Sequence, residues 1–276
     1  MIKKILNVLI TVLLLTIPYT NFGQAPDLGT SSSFVLFTSV GAFENFGPSN
    51  VTGDIGTDAG VFSGFPPGTV IGEIHVEDAV STQAAIDVGI AYGYLSALPC
   101  GSVIGTTLGS GQVLTPNVYC LGAASTLNGN LILDGQGDPD ALFIFKIDGA
   151  FSTGTFASVT LINSASLCNV YWQINGEFTL GENSVFRGTV INAGAIHLLE
   201  SSSLYGRALS TAGALDMHTN LVSISSEPTA SIISAGGPIS FCEGGSVILS
   251  GNIGGTWNTG ATTPTITVTT AGDYFV

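Results

Sequence analysis

The amino-acid sequence predicts a mainly β protein, in which a β-solenoid with one long α-helix alongside it precedes a partial β-sandwich module. The solenoid is indicated by three triplets, Phe178-Thr179-Leu180, Ile196-His197-Leu198 and Leu215-Asp216-Met217, whose first residues lie 18 and 19 positions apart (196 − 178 and 215 − 196). Each triplet places two large apolar residues around a polar one, which is the period of a strand with one buried face. A unit of roughly 18–20 residues is too short to close a core alone, so we expect it to stack on copies of itself.

A single long stretch, Glu77–Leu98, breaks the strand pattern and predicts the helix. It contains no proline, and its apolar residues recur at helical spacing, which makes one apolar stripe. The stripe is formed by Val80, Ala84, Val88, Ala91, Leu95 and Leu98. Carboxylates near the start suit the positive end of the helix dipole, and Pro99 ends the helix. We therefore expect the stripe to pack against a flank of the solenoid.

Short strands are predicted on both sides of this helix, separated by turns rich in Gly, Pro and Asn. They are Ser33–Val40, Val51–Gly56, Gly72–His75, Gln112–Cys120, Leu127–Asp134 and Leu142–Ile147. The segment Gly64–Thr69 is predicted to be a turn, because its two prolines cannot join a ladder. Phe145 and Trp172 each alternate with apolar neighbours, so both are predicted core residues.

The first 24 residues predict a secretory signal peptide. Lys3 and Lys4 precede the apolar run Ile5–Ile17, and a small polar segment follows. The run is too short to span a membrane comfortably, and no later segment of the sequence is long and apolar enough to do so. We therefore expect a secreted or cell-surface protein with no membrane span in its mature chain.

The charge of the mature chain excludes nucleic-acid binding. Without the predicted leader, Lys146, Arg187 and Arg207 are the only basic residues against 19 acidic ones, a formal charge of 3 − 19 = −16. Such a surface repels phosphate backbones and anionic lipid headgroups. Charged residues make up only 9% of the sequence and hydrophobic ones 45%, which indicates an ordered β protein rather than a disordered acidic tail.

A second unit is predicted after Ile224, where the composition changes. Residues 225–228 are interpreted as a linker, and the rest of residues 225–276 resembles the start of an immunoglobulin-like or PKD-like module. Cys242 and Trp257 stand in the relation expected for its early strands, and Gly272–Val276 resembles the strand that carries a tyrosine corner. The second cysteine of such a module would follow Val276, so we interpret the sequence as part of a longer protein.

The first unit resembles the microbial ice-binding proteins, which are secreted antifreeze proteins. Five motifs, together with the helix after Gly72–His75, recur there in the same order. They are VTGDIG (Val51–Gly56), GFPPGTV (Gly64–Val70), LTPNVYC (Leu114–Cys120), LDGQGDPDALFIFKI (Leu133–Ile147) and CNVYWQING (Cys168–Gly176). The resemblance covers about Asp27–Ile224 and implies a discontinuous, right-handed β-solenoid. We predict three sides, built from residues 25–224.

The resemblance also implies a function, in which a flat solenoid face binds the surface of an ice crystal. Some family members carry a Thr-Ala/Gly-any-Thr/Asn motif on that face. Thr211–Ala214 and Thr153–Phe156 keep its first two positions and lack the fourth. The predicted ice-binding residues are Thr153, Thr155, Thr179, Thr189 and Thr211. One outward row is predicted to consist of Ser152, Thr179, His197 and Asp216.

The sequence favours two other functions less than ice binding. An enzyme is disfavoured, because His75, His197 and His218 lie in unrelated sequence contexts and neither HExxH nor GxSxG occurs. The aspartates of Asp134–Asp140 match no calcium loop, so a solvated turn is predicted, with no metal and no cofactor.

The alternative function is a bacterial surface adhesin or structural module that binds a glycan or another cell, attached to the cell surface through C-terminal modules.

The four cysteines complete the predictions. Export permits disulfides, and the absence of a CxxC pair argues against zinc or redox chemistry. Cys100 and Cys120 flank the return from the helix to the solenoid and are predicted to form a disulfide. Cys168 is predicted to be a buried free thiol, and Cys242 to be unpaired within this sequence.

Overall fold

The computed structural model describes residues 24–224, 233–235, 246–252, 255–270 and 272–276. The chain divides between Ser226 and Glu227 into two compact units. The predicted signal peptide (except for residue 24), the predicted linker over residues 225–228 and Cys242 lie outside the described residues.

Residues 24–224 form short strands, the helix α1 (Ala79–Ala97) and two 3-10 helices (Gly29–Ser32 and Leu167–Asn169). The strands before α1 are β1 Phe34–Thr38, β2 Phe43–Asn45, β3 Asn50–Thr52, β4 Asp54–Thr57, β5 Phe62–Ser63, β6 Thr69–Ile71 and β7 Ile74–Val76. The strands after it are β8 Ser102–Val103, β9 Thr107–Gly109, β10 Gln112–Leu114, β11 Asn117–Leu121, β12 Ser125–Asn128, β13 Asn130–Asp134, β14 Phe143–Ile147, β15 Phe151–Thr153, β16 Ser158–Ile162, β17 Val170–Ile174, β18 Phe178–Leu180, β19 Val185–Asn192, β20 Ile196–Leu198, β21 Ser203–Ser210, β22 Leu215–Met217 and β23 Leu221–Ser223.

These strands build a parallel solenoid with three faces. The open face is an eight-stranded sheet in the order β5-β2-β22-β20-β18-β15-β12-β9. The helix face runs β7-β4-β1-β21-β19-β17-β14-β11-β8, and the third face runs β6-β3-β23-β21-β19-β16-β13-β10. The helix face and the third face belong to one fifteen-stranded sheet, because β19 and β21 pass from one to the other.

The order of the coils is discontinuous, as the family resemblance implies. The coil β1-β2-β3 pairs with the last coil of the unit through β1–β21, β2–β22 and β3–β23. Strands β4 to β7 extend that end, and α1 then carries the chain to the opposite end, where β8, β9 and β10 begin the remaining coils. Neighbours in the stack are therefore not always neighbours in the sequence.

Several predicted strands are each two strands on different faces. Val51–Gly56 bends at Gly53, which has φ +130°, and Leu127–Asp134 bends at Gly129, which has φ +67°. Gln112–Cys120 bends at Thr115-Pro116. Since L side chains rarely adopt positive φ, glycine at a corner permits the turn between faces. Alternation identified the strands, but it did not show where the chain turns a corner.

The interior of the solenoid is filled by the inward residues of all three faces, and aromatic rings stack through it. Trp172 and Phe145 are fully buried, as predicted, with ring centroids 3.9 Å apart and planes 10° apart. The ring centroid of Phe186 lies 4.9 Å from that of Trp172. The indole Nε1 of Trp172 donates a hydrogen bond to Arg187 O at 3.1 Å, which satisfies the polar atom of a buried ring.

The helix α1 packs against the helix face as predicted, and its ends are capped. Asp78 is the N-cap and forms a reciprocal capping box with Ser81. The backbone amide of Ser81 lowers the pKa of the Asp78 carboxyl, and His75 contributes in the same direction. At the other end, Lys146 Nζ donates to Ser96 O at 2.8 Å. A cation there satisfies a carbonyl that has no partner within the helix.

The predicted apolar stripe needs one correction. Ala84, Val88, Ala91 and Leu95 are buried against the solenoid, but Val80 is 36% exposed. Ser81 occupies the buried position instead, because the contact positions are spaced alternately by three and four residues. The helix also starts two residues later than predicted. Glu77 has φ +50°, which lies outside helical geometry.

The structure joins Cys100 and Cys120 in a disulfide with Cα atoms 5.9 Å apart and a sequence separation of 20 residues. We expect the double variant Cys100→Ser/Cys120→Ser to lose about 3 kcal/mol of unfolding free energy, because the bond restricts the unfolded chain. Urea unfolding followed by circular dichroism measures this loss, with Cys168→Ser as the control. An unchanged midpoint in the double variant would contradict the expectation.

Cys168 is unpaired, as predicted, but it is exposed and not buried. It lies on the 3-10 helix Leu167–Asn169, where Leu167 takes the buried position. The prediction of a buried thiol was wrong because this turn precedes β17 and does not share its alternation.

The second unit is described in part. It contains a three-stranded antiparallel sheet of β24 (Ser234–Ala235), β25 (Val247–Ser250) and β26 (Thr265–Val268). Val247, Leu249, Trp257 and Val268 form its buried cluster. Tyr274 OH donates to Thr270 O at 3.0 Å, which is the kind of bond that a tyrosine corner makes.

Residues Gly272–Val276 are described but do not form the expected strand. In this segment, Phe275 O accepts a hydrogen bond from Asn258 N at 2.9 Å. The immunoglobulin-like assignment therefore stays a prediction.

Within the residues that the structure describes, no helix combines the length and apolar character needed to cross a membrane.

Candidate functional site

The open face presents one continuous row of outward side chains, here called the central row. Strand pairing places its members directly beside one another from β9 to β5. In spatial order they are Thr107, Thr126, Ser152, Thr179, His197, Asp216, Glu44 and Ser63. The predicted sequence Ser152, Thr179, His197 and Asp216 is thus a true row. Adjacent strands are ~4.8 Å apart, so the row has a regular spacing.

A second row, here called the alanine row, precedes the strands of the open face. Backbone hydrogen bonds from the first strand residues align it, for example Phe151 N to Glu177 O and Phe178 N to Ala195 O, both within 2.9 Å. Its members are Ala124, Ala150, Glu177, Ala195, Ala214, Ala42 and Val61. Alanine methyl groups therefore flank the central row along most of its length, and Glu177 and Val61 are the larger members of the row.

A third row, here called the outer row, follows the strands and changes in size along the solenoid. Its members are Asn128, Gly154, Gly181, Leu199, His218 and Phe46. The row consists of Asn128 at the end of β12, of glycine after β15 and β18, and of bulky residues after β20, β22 and β2. Phe46 is 61% exposed and stacks on His218 with ring centroids 5.0 Å apart.

Charge is concentrated in the same bulky half of the open face. His197 Nδ1 bonds Asp216 Oδ2, and the other ring nitrogen lies 3.8 Å from Glu177 Oε1. His218 Nε2 lies 3.6 Å from Asp216 Oδ1. The histidines His197 and His218 thus share one carboxylate, although their sequence contexts appeared unrelated. His218 directly follows the triplet Leu215-Asp216-Met217, so it lies outside the three positions that define the repeat.

The five predicted threonines do not share one face. Thr179 lies in the central row, where its hydroxyl donates to Glu177 Oε1 at 2.9 Å. Thr155 is exposed in the turn between β15 and β16, and Thr211 is half-buried in the turn between β21 and β22. These two positions lie at opposite edges of the open face.

Two of the five threonines are buried, so their assignment to an outward surface was wrong. Thr153 is 7% exposed and accepts a hydrogen bond from Gly181 N at 2.8 Å. It follows outward Ser152 on the strand and must therefore point inward. Thr189 is 1% exposed. It lies on the helix face between Tyr171 and Arg207, where other elements cover the sheet.

Two threonines that the sequence analysis missed lie in the central row. Thr107 and Thr126 are both exposed and pair directly with each other. The available signal was the triplet Ser125-Thr126-Leu127, in which Thr126 precedes Ser152 by 26 residues (152 − 126), close to the 27 residues between Ser152 and Thr179 (179 − 152). Its first residue is small and polar, so it did not match the apolar triplets that defined the repeat.

The other two faces are less suited to extended contact. The helix face is covered by α1 and the 3-10 helices. The third face carries the guanidinium of Arg187 over the ring of Tyr205, 5.5 Å from its centroid, and Val113 is 53% exposed. Its outward side chains differ widely in size, so it does not form an even surface.

Within residues 24–224, the fold is that of a parallel β-solenoid in which one face is covered by neither α1 nor the 3-10 helices. The sequence matches the Ice-binding-like family over residues 37–223, and the chain belongs to that family. It is 38% identical over 199 residues to an ice-binding protein from Nostoc sp. (strain HG1), and the match covers 71% of this chain and 73% of that protein.

Solved structures of similar proteins share the fold. An ice-binding protein from an Antarctic biological consortium superposes with a TM-score of 0.72 at 32% identity, covering 75% of this chain and 95% of that one. An ice-binding protein from an Antarctic Flavobacteriaceae bacterium gives 0.68 at 37% identity, covering 80% of this chain and 52% of that one. The β-solenoid with a flanking helix is therefore the fold of the family.

Proposed function

We propose that this protein binds ice through its open face and thereby acts as an antifreeze protein. The observation that carries the proposal is the central row, in which Thr107, Thr126, Ser152 and Thr179 are in register on adjacent parallel strands. Methyl and hydroxyl groups at a regular ~4.8 Å spacing hold water in ordered positions without the strong hydration of charge. Family membership and the names of the similar proteins support the same function.

The geometry favours a crystal surface over a small molecule. The central row lies on a sheet and not in a cleft, so many weak contacts act together along it. The carboxylates and histidines of the open face are on the same outer surface, with the side chains of His197 and Asp216 30% and 21% exposed. Catalytic groups are more usually placed in concave sites, so we propose that the protein is not an enzyme.

We propose that the protein works outside the cell, either secreted or attached to the cell surface. The leader-like residues 1–24 and the Cys100–Cys120 disulfide support export, since disulfides persist in oxidising compartments. N-terminal sequencing of the protein from the culture medium and from the cell surface distinguishes the two locations. Recovery of an uncleaved chain from the cytoplasm would contradict export.

Thermal hysteresis and inhibition of ice recrystallisation test the function directly. We expect the intact protein to lower the temperature at which a seed crystal grows and to keep ice grains small. A fluorescent fusion should coat a growing ice hemisphere. Absence of both activities in a folded sample would overturn the proposal, and glycan or whole-cell binding by the same sample would then favour the adhesin.

A further inference from the structure

The open face has two halves, and the difference between them limits where ice can touch. The first half contains β9, β12, β15 and β18 and carries hydroxyls, methyls and glycines in its three rows, apart from Asn128 and Glu177. The second half contains β20, β22, β2 and β5 and carries most of the larger and charged side chains. Building on the proposed function, we propose that only the first half contacts ice and that the Glu177–His197 contact marks the boundary.

Charge is the first reason for the boundary. His197, Asp216 and Glu177 form a connected set of ionisable groups across β18, β20 and β22. Glu44 continues the central row on β2 beside Asp216. A charged group orients water around itself, and moving it out of liquid water is unfavourable unless the charge is fully compensated. An ice lattice has no counter-charge to offer, so these rungs favour liquid water.

Size is the second and independent reason. In the outer row, Gly154 and Gly181 leave the first half low, whereas Leu199, His218 and Phe46 follow in the second half. Phe46 is 61% exposed and stacks on His218, so these two rings are far bulkier than the glycines of the first half. A rigid crystal plane seated on the first half must end before these rings. Both features change at the same place, between β18 and β20.

The contact patch is therefore short. Four rungs at ~4.8 Å span about 14 Å, whereas the whole central row has eight rungs. Glu177 is the charged exception in the alanine row and accepts the hydroxyl of Thr179 at 2.9 Å. Because the hydroxyl is bonded to Glu177, it does not donate to lattice water at the edge of the patch. Glu177 therefore reduces the area of the patch and also lies at its end.

Tyrosine substitutions on the two halves test this inference in the intact chain. Ser152→Tyr is expected to lose nearly all thermal hysteresis, because the ring lifts the crystal off the first half. Glu44→Tyr, in the same row on β2, is expected to keep the activity of the unmodified protein. Glu177→Ala is expected to raise hysteresis, since it completes the alanine row. Thermal denaturation establishes that each variant is folded.

The outcomes separate this inference from the proposed function. Loss of activity in both tyrosine variants would show that ice contacts the whole open face, which overturns the boundary but keeps the function. Full activity in Ser152→Tyr would instead remove the open face as the binding surface. If Ser152→Tyr does not fold, Glu44→Tyr and Glu177→Ala still decide the matter. Activity lost in Glu44→Tyr, or not raised in Glu177→Ala, would contradict the boundary.

Discussion

Replacing Thr126 with tyrosine is expected to abolish ice activity while leaving the melting temperature unchanged. Thr126 is exposed in the middle of the contact patch, between Thr107 and Ser152 in the central row. Binding to a crystal plane sums many weak contacts, so removing one hydroxyl changes little. A phenol ring in the same place separates the plane from every neighbouring rung. Thermal hysteresis across a concentration series measures the loss.

Thr52→Tyr is the matched control for this experiment. Thr52 is an exposed threonine on β3, the second strand from one end of the third face. The substitution adds the same group to the same type of strand on a different side of the solenoid. It is expected to keep full hysteresis. Equal losses in both variants would indicate a general effect on the protein and not a specific effect on the open face.

The largest expected effect on stability is that of Trp172→Ala, about 4 kcal/mol of unfolding free energy. Trp172 is fully buried between Phe145 and Phe186. The change removes the stacked ring, leaves a cavity inside a closed solenoid and deletes the hydrogen bond to Arg187 O. Because a solenoid coil contacts only its neighbours in the stack, a defect at the centre weakens the coils on both sides.

Phe156→Ala is the matched aromatic control for the core prediction. Phe156 is 72% exposed in the turn between β15 and β16, so its removal is expected to change stability by less than about 0.5 kcal/mol. Urea titration gives both values from the shift in midpoint at constant slope. A loss of under about 2 kcal/mol in Trp172→Ala would show that the core repacks around the missing ring.

Most of the architecture could be predicted from local pattern. The triplets beginning at Phe178, Ile196 and Leu215 are paired strands of one face in the structure. The predicted helix agrees with α1 to within two residues at each end. Both predictions rest on the periodicity of buried side chains, because the spacing of apolar residues is the strongest structural signal in a sequence.

The site was predicted less well, because period alone does not show which surface stays uncovered. Thr189 points away from the solenoid interior, yet the elements on the helix face bury it. The prediction that Thr153 points outward is inconsistent with an outward Ser152, because two successive strand residues cannot both point outward. Thr107 and Thr126 become visible only when the pairing register is known, since the first residue of each triplet, Thr106 or Ser125, is polar.

The docking of the first coil on the last one affects how the protein can be made. Ser39 Oγ donates to Ser210 O, 171 residues later, and Thr38 Oγ1 donates to Gly213 O, 175 residues later. While the chain is being synthesised, β1, β2 and β3 emerge long before the strands that template them. Strands β1, β2 and β3 can pair early with β4, β5 and β6, but their other edges wait for the last coil. Closing so long a loop is slow, and unpaired strand edges are prone to aggregate. The topology therefore favours folding after synthesis is complete, and a chain that ended before β21 would lack the template for its own first strands.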